Sequence, residues 1–233
     1  MGTAMIEAVI FDMDGCLVDS EPLSLEAVAA EMRAAGLIDA TAEMVGDKYL
    51  GVSIQSICRD VGEHLEHDSP DAFAARVEER LFARYPAELQ CMPGVETLLK
   101  RLNNTGIGTA IATGSSVRRL GRTLEVSGLA KDFERRGFSA DQVKHGKPAP
   151  DLFLLAAQQL GVPPEHCAVL EDSPHGIAGA VAAGMRAVGF VGGSHLDGRQ
   201  EAHGAILRSA GAVEVIESLA QAYEALIPAR RAE

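Results

Sequence analysis

Five short runs of almost wholly apolar residues punctuate the chain, and each breaks off at polar or glycine-rich positions. They lie at 6–11 (IEAVIF), 107–112 (IGTAIA), 167–170 (CAVL), 187–191 (AVGFV) and 212–216 (AVEVI). Continuous apolar runs of this length suit strands buried on both faces, with polar residues gathered where they end. Between them stand stretches with helix-like patterning, at 95–102, 117–127, 150–160 and 177–183. Strands alternating with helices imply right-handed crossovers and an α/β fold, a mostly parallel sheet with helices on both faces.

Residues 21–87 interrupt this alternation with three helix-like patterns, at 23–35, 54–65 and 71–85, and no convincing strand. A helical insert directly after the first strand hangs over the carboxyl edge of the sheet, where open parallel sheets bind their ligands. The pattern therefore predicts a discontinuous core, 1–18 with 91–233, carrying an inserted all-helical cap domain, 19–90. Pro86 and the pair Pro93-Gly94 mark the return to the core. Residues 229–233 read as a frayed tail.

Composition narrows the function classes. The chain has 233 residues, with 33 acidic against 21 basic side chains and a net charge of -12. That balance argues against a nucleic-acid groove, which needs clustered Lys and Arg. An acidic protein still binds anions where a metal and a few cations are concentrated in its site. The cysteines, Cys16, Cys58, Cys91 and Cys167, form no CxxC pair and no zinc spacing, which suits reduced, mostly buried thiols. No basic segment leads into an apolar one at the start, and no apolar run is long enough to span a bilayer. Ile6 stands where N-myristoylation wants Ser or Thr. The expectation is a cytoplasmic monomer with no membrane and no nucleic-acid partner.

Four polar clusters fall where apolar runs end or before helices. Asp12 and Asp14 follow the first run two residues apart, so both carboxyl groups address one side, with Gly15 allowing a sharp turn behind them. Alone they also fit two solvated turn aspartates. Thr113-Gly114-Ser115-Ser116 offers a hydroxyl and backbone N–H groups near a helix start, as a phosphate cradle or as ordinary N-caps. Lys147 in Gly146-Lys147-Pro148 is either a fixed cation or part of a surface turn. Glu171-Asp172 suits a hard cation such as Mg2+, or caps the next helix. Brought to one sheet edge, the four supply the parts phosphoryl transfer needs.

These segments resemble the haloacid dehalogenase-like superfamily, in the branch with a helical cap after the first strand of a Rossmann-like core. FDMDGCLVDSEP is similar to its first motif, IATGS to its second, HGKPAPD to its third and VLEDSPHGIAGA to its fourth, in that order and over nearly the whole chain. The resemblance implies a Mg2+-dependent phosphatase acting on a small phosphorylated metabolite, a sugar, sugar-acid or polyol phosphate. It makes Asp12 the nucleophile, carrying an aspartyl-phosphate, and Asp14 the acid and base. It assigns the cation to the Asp12 carboxylate, the Asp14 backbone carbonyl, Asp172 and Glu171, the last directly or through water. The phosphoryl oxygens go to Thr113, the Gly114 amide and Lys147, whose bond to Pro148 is cis in some relatives. Asp14 speaks against carbon–halogen and phosphonate cleavage, whose enzymes lack an aspartate there.

The alternative within the resemblance is a β-phosphoglucomutase-like phosphomutase. Such enzymes carry a lysine, an arginine and a histidine where this chain has Leu50, Ile54 and Ser24. A mutase must hold a bisphosphate by its second phosphate, and those groups would do so. Lys48 lies two residues early to replace the lysine. A less favoured third reading is a non-catalytic protein binding a phosphorylated metabolite. Substrate selection is expected in a cap loop over 46–53, with Lys48 and Tyr49 as candidates. In the segment 188–195 (VGFVGGSH), Ser194 and His195 read as loop residues, and His175 as a residue lining the cleft at a helix start.

Overall fold

A computed structural model describes residues 5–49, 57, 60–61, 69–133 and 135–228. Leu50, Ile54, the rest of 50–56, most of the helix expected over 54–65 and the tail at 229–233 lie outside these residues. By its internal contacts the chain divides into two compact units, Met1–Asp19 with Cys91–Glu233, and Ser20–Gln90.

The first unit is built on a six-stranded sheet of β1 (Ala8–Phe11), β2 (Gly108–Thr113), β3 (Gly137–Ser139), β4 (Cys167–Glu171), β5 (Arg186–Phe190) and β6 (Glu214–Ile216). The spatial order is β3-β2-β1-β4-β5-β6, and every neighbouring pair is parallel. This is the α/β class the apolar runs predict. β1 lies between β2 and β4 and is buried at all of its positions, which is why its sequence is a run and not an alternation. Helices α4 (Val95–Asn104), α5 (Val117–Ser127), α6 (Asp151–Leu160), α7 (Pro174–Ala182), α8 (Gln200–Ser209) and α9 (Ala222–Leu226) belong to the same unit. α6, α7 and α8 pack side by side on the sheet, and α4 and α9 pack on it as a second group.

Local chemistry sets the helix ends. Ser116 and Ser173 accept from the third backbone N–H of α5 and α7, at 3.0 Å from Arg119 and Gly176. Gly128 and Gly161 close α5 and α6 in the left-handed region, at φ 75° and 70°. Three features were not foreseen. β3 is only Gly-Phe-Ser, too short to show an apolar run, and is placed by pairing with β2. α8 was unassigned because its apolar positions are few. Pro86 does not end a helix but lies within the last turn of the one containing it.

The second unit packs α1 (Glu21–Ala34), α2 (Ala42–Tyr49) and α3 (Pro70–Glu88) around Val28, Met32, Val45, Phe73 and Val77. α2 corrects the sequence reading: Gly46 to Tyr49, expected in a loop, are helical, because Val45 and Tyr49 four positions apart anchor one face in that core. Glu31 of α1 is 3% exposed in its side chain and pairs with Arg76 (2.8 Å) and Arg80 of α3. Burial alone would raise its carboxyl pKa, but the two guanidinium groups outweigh it and hold the group below its ordinary range.

An asymmetric mutational result is expected there. Arg76→Ala with Arg80→Ala leaves a buried carboxylate without its two arginines and should cost roughly 2–4 kcal/mol, whereas Glu31→Gln removes one buried charge from two arginines that are already half-exposed and should cost about 1 kcal/mol. The pH dependence differs in sign. In the parent, the depressed pKa contributes stability that is present above the ordinary glutamate value, about 4.3, and is lost as pH falls through the folded value. In the double-Ala variant burial alone acts, so the folded pKa is raised and the deficit should shrink on acidification. Urea midpoints at pH 7 and pH 4.5 check this, and a deficit that grows toward acid contradicts the assignment.

Candidate active site

Asp12 is the first residue beyond β1, and its N–H donates to the Leu170 carbonyl of β4 at 2.9 Å, so the ladder still fixes its backbone. Gly15, three residues on, is at φ 80°, and its N–H donates to the Val18 carbonyl at 2.9 Å. Val18 in turn bridges Cys91 antiparallel, where the chain leaves and re-enters the unit. Glu171 ends β4 and Asp172 follows it. Neighbouring parallel strands thus deliver three carboxylates to one edge, at the point where the strand order runs outward in opposite directions.

Lys147 lies among them. Its Nζ is 2.5 Å from Asp12 Oδ1 and 2.5 Å from Glu171 Oε1, with its side chain 9% exposed. The Lys147-Pro148 bond is cis, as expected from the resemblance. Burial works against the lysine's charge, but the two carboxylates outweigh it and hold its pKa above the usual value. Burial raises the Asp12 pKa well above the usual range, Lys147 opposes that shift, and Glu171, Asp172 and Asp14 add to it. Glu171 is raised by burial too, against the pull of Lys147, and its Oε2 also accepts the Ser173 N–H at 2.8 Å.

The Asp14 carboxylate is engaged by the segment between β2 and α5. Its Oδ2 accepts from Ser115 Oγ at 2.7 Å and Thr113 Oγ1 at 3.3 Å, and its Oδ1 from Arg119 Nη2 at 2.7 Å. Thr113 Oγ1 also accepts the Ser115 N–H at 3.1 Å. Gly114 is exposed, with open space where a Cβ would stand.

Two histidines lie against Asp172. His195 Nε2 is 3.3 Å from its Oδ2, and His203 Nε2 is 2.6 Å from its backbone carbonyl. His195 is therefore more than the loop residue the sequence suggested. Asp12, Asp172 and the Cys16 thiol place their ligand atoms within 4.8 Å of one another, and burial first, then Asp172 and Asp12, push the thiol pKa well up.

These residues fit a divalent cation on charge. Among the described residues four carboxylates, Asp12, Asp14, Glu171 and Asp172, gather here, with Lys147 paired to Asp12 and Glu171 and Arg119 to Asp14, an acidic concentration that a divalent cation would help offset. Hard carboxylate oxygens are the donors magnesium takes. Asp12 and Asp172 are the pair positioned for it; the Glu171 carboxylate is engaged by Lys147 and the Ser173 N–H, which suits contact through water better than direct ligation.

Thus Asp12, Lys147, Glu171 and Asp172 form one cluster, and Thr113 joins it through Asp14. Ser115, Arg119, His195 and His203 are additions: Ser115 lay in the segment read as a phosphate cradle, His195 in the segment 188–195 where it read as a loop residue, and Arg119 and His203 in neither. Lys48 and Tyr49 belong to the other unit, and both engage Asp60, at 2.8 and 2.9 Å. His175 is half-buried in the first turn of α7. Among the described residues no helix is long and apolar enough to cross a membrane.

Comparisons with known proteins agree with this architecture. The model of the haloacid dehalogenase-like hydrolase family matches residues 6–184. A phosphorylated carbohydrates phosphatase of Thermotoga maritima is 35% identical over 213 residues, 91% of this chain and 94% of its own. A haloacid dehalogenase-like protein of Agrobacterium tumefaciens superposes with a TM-score of 0.76 at 33% identity, covering 94% of this chain and 96% of its own. A hydrolase of the same family from Deinococcus radiodurans, crystallised with bound phosphate and sodium, gives 0.73 at 31% identity, covering 97% of this chain and all of its own. With most of its length matched by the family model and by relatives above 30% identity, the chain belongs to the haloacid dehalogenase-like hydrolases.

Proposed function

We propose that this chain is a Mg2+-dependent phosphatase that hydrolyses a small phosphorylated metabolite, a sugar, sugar-acid or polyol phosphate, through an aspartyl-phosphate on Asp12. The observation that carries the reading is the Asp12 carboxylate, fixed by Lys147 at 2.5 Å and crowded by Asp172 and Glu171 at one sheet edge. The name of the Thermotoga relative supports the substrate class. Residues 19–90 are read as a cap domain that selects the substrate.

Asp12 attacks phosphorus, and the bond to the leaving oxygen breaks as that oxygen takes a proton from Asp14. Water then attacks the aspartyl-phosphate, giving its proton to Asp14 and freeing phosphate. Asp14, accepting from Thr113, Ser115 and Arg119, is arranged as the ionised form that serves this second half. Thr113, the Gly114 N–H and Lys147 bind the phosphoryl oxygens, and Lys147 also holds Asp12 in line. Asp12, Asp172 and the Asp14 carbonyl, with Glu171 directly or through water, would hold Mg2+, which would offset the repulsion between carboxylate and phosphate.

Phosphate release from p-nitrophenyl phosphate tests the reaction. Chelation should lower turnover by about 100-fold or more, and Mg2+ but not Na+ should restore it. Full turnover in EDTA would sink the metal assignment. A screen of phosphorylated sugars, sugar acids and polyols would then rank substrates. Conversion of glucose 1-phosphate to glucose 6-phosphate, primed by a bisphosphate, would instead mark a phosphomutase.

A further inference from the structure

We infer that His195 is a positioning residue for Asp172, and that through it His195 sets the affinity of the site for its divalent cation; this rests on the metal reading above. Four observations converge on the imidazole. It is 1% exposed, with Nε2 3.3 Å from Asp172 Oδ2. A Cβ on Gly193 would stand 2.6 Å from its Cε1 and 2.7 Å from its Nδ1, so the residue two positions before it must be glycine for the ring to fit. A Cβ on Gly15 would stand 3.1 Å from the same Cε1, so the turn behind Asp12 is cleared on the other side. The loop is also tied to the segment just beyond that turn by the Ser194 N–H, which donates to Asp19 Oδ1 at 3.2 Å.

His203 completes the arrangement from α8, with its Nε2 2.6 Å from the Asp172 carbonyl. One histidine thus steadies the side chain and the other the main chain of the same aspartate. A buried imidazole nitrogen 3.3 Å from one carboxylate oxygen restricts the plane of the group and leaves the other oxygen for a cation. Outer contacts of this kind typically change metal affinity by about 10- to 100-fold when removed. Simple packing would require only the ring's volume, and that difference is testable.

The experiment is Mn2+ binding to the full chain, followed by electron paramagnetic resonance, for the parent, His195→Leu and His195→Gln. Leucine keeps apolar volume and removes both nitrogens; glutamine keeps a side-chain N–H donor. The Leu variant should bind Mn2+ about 10- to 100-fold more weakly, and Gln should recover most of the difference. Should the Leu variant not fold, His195→Asn, whose amide is too short to reach Asp172, takes its place. A folded Leu or Asn variant that binds as tightly as the parent overturns the inference, as does a Gln variant no better than Leu. A parent that binds no Mn2+ overturns the metal reading itself, a separable result.

Discussion

Asp12→Asn is expected to abolish turnover while leaving the protein as stable as the parent or more so. Loss of a nucleophile lowers turnover by about 10^4-fold or more, and Asp12 is the nucleophile in the proposed reaction. The stability effect has an independent cause. Asp12 is buried beside Glu171, Asp172 and Asp14, and its pKa is raised despite Lys147, so the folded state holds its charge less readily than the unfolded chain does. A raised carboxyl pKa means stability declines as pH climbs through the unfolded value toward the folded one. Asparagine removes that decline and retains an oxygen for Lys147, which also keeps Glu171. Thermal unfolding at pH 7.5 in EDTA should place the variant's midpoint at or above the parent's. A large drop in midpoint, or turnover within tenfold of the parent, would mean that Asp12 is a structural residue.

The same cluster shows how much of the site could be read from sequence. Asp12, Thr113, Glu171 and Asp172 were legible because each ends or directly follows a strand whose apolar run is visible on its own. Strand order then brings them together, with no further information needed beyond parallel pairing. Lys147 lies outside any strand, but its glycine and proline neighbours mark the turn. Arg119 was not legible, because it reaches Asp14 from within an ordinary amphipathic helix and resembles the other surface arginines of that helix. His195 was read as a loop residue and His203 was missed for a related reason: Asp172, which both approach, is supplied by a different strand and loop. In the helical unit, the misplaced loop at 46–49 has the opposite origin. A cap loop was expected from Gly46 onward, and the anchoring of Val45 and Tyr49 on one face holds residues 46–49 in a helix instead.

Gly15→Ala is expected to damage the site without touching a catalytic group. Two effects add at this position. Its φ of 80° is left-handed, which costs an alanine about 1–2 kcal/mol. In addition its Cβ would stand 2.0 Å from Asp172 Oδ2 and 2.9 Å from Asp172 Cγ, distances no side chain can hold. Asp172 cannot easily yield, because His195 is packed beside its carboxylate and its backbone carbonyl is held by His203. Either the aspartate or the turn carrying Asp14 must move, by something on the order of an ångström, and displacement on that scale costs about 100-fold in catalysis. Gly106→Ala separates the two effects. Gly106 has a similar φ of 73° but open space where its Cβ would go, and it lies in the same unit, remote from the carboxylates. The Gly106 variant should lose stability and keep its kcat/KM, whereas the Gly15 variant should lose both and need more Mg2+ for half-maximal rate. Equal kcat/KM in the two variants would show that Asp172 has room to shift, and that the glycine serves the turn alone.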